Sequence, residues 1–101
     1  MSLHFAETVR HLAAASRRMG WVMPSFRSPP GVAGAQRTLR RRPDGSFVVA
    51  VALRNRPWPA VLADMIDGVA VANGLTGPQG EQCRAWLGAA VADDQPTTVA
   101  A

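Results

Sequence analysis

Arg37-Thr38-Leu39-Arg40-Arg41-Arg42-Pro43-Asp44-Gly45-Ser46-Phe47-Val48-Val49-Ala50-Val51-Ala52-Leu53 reads as two extended segments folded back on each other. Pro43-Asp44-Gly45 supplies the turn: proline presets φ, aspartate bonds to backbone just ahead of it, and glycine accepts a positive φ. A three-residue loop sets Arg42 opposite Ser46, Arg41 opposite Phe47 and Leu39 opposite Val49. Strand side chains alternate between faces, so Leu39, Phe47, Val49, Val51 and Leu53 then share one face and should meet helices. The other face carries Thr38, Arg40, Arg42, Val48, Ala50 and Ala52, an arginine row beside small apolar side chains that a single sheet layer leaves open.

Outward from the hairpin the pattern turns helical. Phe5, Val9, Leu12, Ser16 and Met19 recur at helical spacing after Ser2, a good N-cap, and before Gly20, a good stop, which predicts a helix over residues 3–19. Residues 21–34 are broken by Pro24, Pro29, Pro30, Gly31 and Gly34, with Trp21-Val22-Met23 a candidate third strand. Beyond Pro57, suited to a first helical turn, Trp58, Val61, Leu62, Met65, Val69 and Ala72 line a stripe ended by Asn73-Gly74. This segment is apolar nearly all round, which marks a helix contacted on two sides, by another subunit if not by its own domain. Thr76 and Gln79 have capping-box spacing and open a last helix, about 78–92, with Cys83, Trp86, Leu87 and Ala90 as its apolar stripe. Residues 93–101 read as a flexible tail.

The expectation is one α+β domain over residues 1–92, in the order helix, β-hairpin, helix, helix (α-β-β-α-α), with an antiparallel sheet packed on the helices. A chain of 101 residues holds one core and no second domain. No run approaches the roughly 20 apolar residues of a membrane span, and Glu7, Arg10 and His11 interrupt any secretory signal, so no membrane role and a cytoplasmic location are expected. The single cysteine, Cys83, excludes an internal disulfide and any site built on several thiolates.

Charge is divided along the chain. Residues 1–56 carry ten arginines against Glu7 and Asp44, whereas residues 57–101 carry Arg84 against Asp64, Asp67, Glu81, Asp93 and Asp94. The complete absence of lysine, with abundant alanine, looks like high-GC coding. The asymmetry itself points to a basic surface for a polyanion or to complementary surfaces within one molecule or a dimer.

Chemistry-bearing constellations are sparse. His4, Glu7 and His11 have the spacing of metal ligands along a helix, but no second cluster joins them, so they read as solvated surface and no metal or cofactor is expected. Asp64 and Asp67, three residues apart, read as salt-bridge partners for the basic half rather than as an acid–base pair. Gly31-x-x-Gly34 is too short for a phosphate loop. Cys83, Trp58 and Trp86 sit on apolar stripes and read as core; Trp21 and Phe26, beside Arg27, could stack on bases or cover a sheet edge.

With no nucleophile–base pair, an enzyme is the least supported class. The arginines of the hairpin and its flank point instead to a non-catalytic nucleic-acid-binding accessory protein. In that reading Arg40 and Arg42 are the main contacts to DNA or RNA, supported by Arg37, Arg41, Arg54 and Arg56. The alternative is a protein-interaction module, homodimeric or binding an acidic protein partner, with two copies joining their sheets and covering the 58–73 helix.

Overall fold

The computed structural model describes residues 3–28 and 37–92. Ser2, the Gly31-x-x-Gly34 segment and the tail expected over residues 93–101 lie outside the described residues. The chain forms helix α1 (Leu3–Arg18), strands β1 (Ser25–Arg27), β2 (Arg37–Arg41) and β3 (Phe47–Val51), and helices α2 (Trp58–Ala72) and α3 (Gly77–Ala90). This is an α+β arrangement with three helices and a three-stranded sheet. Among the described residues no helix is long and apolar enough to cross a membrane.

The hairpin forms in the expected register: Leu39 pairs with Val49 and Arg41 with Phe47, while the Arg42 N–H donates to the Ser46 carbonyl at 2.7 Å. Gly45 takes φ +91°, and Asp44 accepts from the Ser46 N–H at 2.9 Å and from its hydroxyl at 2.6 Å. Those bonds favour the charged form and hold the Asp44 carboxyl below its ordinary pKa.

The sheet is mixed, in the order β1-β3-β2, because a third strand pairs parallel to β3 on the side away from β2. It is not Trp21-Val22-Met23 but Ser25–Arg27. The reason for the displacement lies in Asn73, at the C-cap of α2. Its carboxamide accepts from the Val22 N–H at 2.7 Å and donates to the Val22 carbonyl at 2.8 Å, occupying the groups a strand at that position would need. Pro24 has no N–H to give, and pairing begins after it. The stops after α1 and α2 have the same form. Gly20 and Gly74 adopt φ +74° and +66°, and the following N–H groups of Trp21 and Leu75 reach back to the carbonyls of Ser16 and Ala70 at 3.0 Å each.

Val49 and Val51 of β3 face the helices and are fully buried, joining Phe5 and Leu12 of α1, Val61, Leu62, Met65, Ile66 and Val69 of α2, and Cys83 and Leu87 of α3. α2 packs against β3 on one side and α3 on another, so the second contact implied by its all-round apolarity comes from within the domain. β3 rests on α2 at a glycine: a Cβ built on Gly68 would stand 2.9 and 3.1 Å from the two methyl groups of Val49.

Several local expectations are corrected. Met19 is 48% exposed, because the turn at Gly20 carries it off the α1 stripe. Thr76 is the N-cap of α3 but makes no side-chain capping bond, so the capping box does not form; Pro78 lies in the first turn instead. Pro57 is the N-cap of α2 rather than a first-turn residue, and Pro59 takes that place. The buried line of α3 is Gly80, Cys83, Leu87 and Val91, whereas Ala90 is exposed and Trp86, on another side of the helix, is 40% exposed.

Gly68→Ala should destabilise the protein by about 1–3 kcal/mol, since the added methyl meets a β-branched side chain with little rotamer freedom. Gly88→Ala, where the Cβ would meet nothing within 4 Å, is expected to be neutral or to gain up to about 1 kcal/mol. Urea unfolding of both variants beside the wild type checks the pair.

Candidate functional site

Strand alternation sorts the arginines into two groups. Arg37, Leu39 and Arg41 of β2 pair with Val51, Val49 and Phe47, and so project on the helix side of the sheet. Thr38 and Arg40 pair with Ala50 and Val48 and project on the other side, followed by Arg42 just past the end of β2. β1 adds to this outer face, because Ser25 lies beside Val48 and Arg27 beside Ala50.

Arg27, Thr38, Arg40, Arg42, Val48 and Ala50 together line a shallow depression of about 230 Å³. Its floor is made of the small side chains of the central strand and its walls of guanidinium groups from the two edge strands. Arg42 reaches across β3 to within 3.4 Å of the Ser25 hydroxyl. Among the described residues no acidic side chain lines the depression, so three positive charges converge there without a described carboxylate beside them. The set read from the hairpin alone recurs here, apart from Ala52, which follows the end of β3. Arg27 was missed as a member because a three-residue strand paired in parallel leaves no periodic signal in its own sequence.

The remaining candidate arginines are placed differently. Arg37 pairs with Asp67 at 2.8 Å, and Arg84 holds the same carboxylate at 2.6 Å. Arg56 pairs with Asp64 at 2.7 Å and donates to the Ala52 carbonyl at 2.9 Å, with its side chain only 11% exposed. These bridges tie the basic half of the chain to α2, so part of the charge asymmetry is satisfied internally. Arg41 lies over the Phe47 ring, 5.7 Å from its centroid, at the edge of the inner face. Arg54 is exposed in the turn between β3 and α2.

The other candidate groups are accounted for by packing. His4 does not share a wet face with Glu7 and His11: its ring packs against Trp58, tilted by 60°, with centroids 4.5 Å apart. Among the described residues no three His, Cys, Asp or Glu side chains converge as metal ligands. Cys83 is fully buried, and burial pushes its thiol pKa up, away from the thiolate a nucleophile requires. Phe26 and Trp21 pack against the core, and Phe26 pairs with Val49 on the inner face. Trp86 borders a second, apolar groove of about 640 Å³ with Met19, Trp21, Leu75, Gln79, Gln82, Ala85 and Ala89.

Compared with models of known protein families, with curated proteins and with solved structures, the chain matches none.

The two groups of arginines should separate in stability measurements. Arg56→Ala removes a half-buried ion pair and a backbone bond and is expected to cost about 1–3 kcal/mol, and Arg37→Ala, more exposed, up to about 1 kcal/mol. Arg40→Ala and Arg42→Ala should stay within about 0.5 kcal/mol of wild type. Thermal unfolding by circular dichroism checks the order.

Proposed function

We propose that this protein is a non-catalytic nucleic-acid-binding accessory protein whose contact surface is the outer face of the sheet. The observation that carries the reading is the convergence of Arg27, Arg40 and Arg42, from the two edges of the sheet, on a depression with no acidic lining among the described residues. Arginine presents several N–H donors in a planar fork that fits phosphate oxygens, and fixed guanidinium groups concentrate a polyanion on one surface. The small floor formed by Val48 and Ala50 lets a sugar–phosphate backbone come close to the strands.

Among the described residues no aromatic side chain lines the depression, so this face offers phosphates partners but gives bases no stacking platform. Binding dominated by phosphate contacts is tolerant of sequence and sensitive to salt. Arg41 and Arg54 lie beyond the depression and add positive charge in support. Arg37 and Arg56, already paired with Asp67 and Asp64, act by holding the sheet and its following turn on α2. An acidic protein segment is the rival ligand for the same face. Its self-associating form, with the Asp64/Asp67 face of a second copy as ligand, is disfavoured because both carboxylates are engaged at home.

Fluorescence anisotropy with labelled duplex and single-stranded probes, DNA and RNA, tests the proposal. If about three phosphates are neutralised, affinity should fall roughly 40-fold between about 50 and 200 mM salt. The folded Arg27→Ala/Arg40→Ala/Arg42→Ala variant should lose most of both the affinity and the salt slope. Absence of binding to every probe at about 50 mM salt, or unchanged binding by the triple variant, would overturn the reading.

A further inference from the structure

The depression on the outer face of the sheet has an internal order beyond its positive charge. The register sets Arg27 and Thr38 on either side of Ala50, and Ser25 and Arg40 on either side of Val48. Each row places a guanidinium on one edge strand and a hydroxyl on the other, and the second row reverses the first. Arg42 closes the end of this cradle by reaching across β3 to the Ser25 hydroxyl at 3.4 Å. The two edge strands lie about 9–10 Å apart across β3, so guanidinium groups from both sides can reach one group held above the floor.

Taking the nucleic-acid reading of this face as given, we propose that the depression seats the terminal phosphomonoester of a nucleic-acid strand, so that the protein prefers phosphorylated strand ends to continuous backbone. Three features select an end over the middle of a strand. The first is charge. A phosphomonoester carries close to two negative charges at neutral pH, and the diester next to it adds one. Together they match Arg27, Arg40 and Arg42, which line the depression with no carboxylate among the described residues.

The second feature is size. At about 230 Å³ the depression is smaller than the roughly 300–1,000 Å³ of sites that enclose a whole small molecule, and suits an end group. The third is the direction of the donors. A diester inside a strand offers two free oxygens and has chain leaving on both sides, whereas a monoester offers three and has chain leaving on one. Arg27 on β1, Arg40 on β2 and the Thr38 hydroxyl approach from opposed edges, which surrounds a group rather than lining one flank of it.

Fluorescence anisotropy with short strands of one sequence, single and as blunt duplexes, is the test. The label sits at the far end, and the near end carries either a phosphate or a hydroxyl. A hydroxyl-ended strand lengthened until its charge equals that of the phosphorylated one separates end recognition from charge. The phosphorylated end should bind at least about tenfold tighter than this control, the worth of a hydrogen bond to a charged group. Thr38→Val keeps the shape and all three guanidinium groups, and should narrow that preference at least about threefold with the salt slope unchanged. Equal binding of both ends, abolished by Arg27→Ala/Arg40→Ala/Arg42→Ala, would overturn end recognition and leave the polyanion surface standing. A preference indifferent to both Thr38→Val and Arg27→Ala, or equal affinity for an oligoglutamate of the same charge, would also overturn it. Absence of binding to every strand would overturn both readings.

Discussion

The sheet lies on α2 through the approach of Val49 to Gly68, and most of the architecture depends on that contact. A side chain at residue 68 would stand within 2.9 Å of a valine methyl and hold the sheet off the helix. With the gap closed, Val49 and Val51 are sealed beneath β3, Asp67 comes within reach of Arg37, and Arg56 of Asp64. The hydrophobic contact sets the distance and the ion pairs set the orientation. Partly exposed pairs of this kind contribute little energy individually, but they fix which carboxylate meets which strand.

From that placement the period-two alternation of β2 divides one arginine-rich segment into two jobs. Arg37 and Arg41 turn toward the helices and are absorbed by Asp67 and the Phe47 ring. Arg40 and Arg42 turn the other way, where no carboxylate among the described residues lines their depression, and Arg27 joins them across the central strand. A one-residue slip of register would exchange the two sets, sending the apolar side chains of β3 into solvent. Burial of Val49 and Val51 thus also determines which arginines face outward.

How much of this is legible in the sequence follows from how local each determinant is. The hairpin, its register and the composition of its outer face rest on Pro43-Asp44-Gly45 and on alternation, both local, and the structure has the same pairs. The helices follow from stripes and from Gly20 and Gly74, again local. The third strand is not legible at its true place because its position depends on a hydrogen bond between Asn73 and Val22, 51 residues apart in the chain. Arg27 went unassigned for the same reason. Trp86 reads as core in the sequence, because an apolar stripe does not say which of two sides of a helix is covered. Arg37 and Arg56 read from composition as supporting contacts, because composition cannot show that a carboxylate waits on α2.

The proposed polyanion surface rests on position in the sheet, rather than positive charge alone, setting Arg27, Arg40 and Arg42 apart from the other arginines. Arginine side-chain Nε–Hε signals, followed by nuclear magnetic resonance during titration with a short DNA duplex, test this residue by residue. The account predicts that Arg27, Arg40 and Arg42 shift together and saturate together, while Arg37, Arg56 and Arg84 stay in place. Shifts concentrated on the paired arginines or on the Trp86 groove, or no shifts at low salt, would contradict it.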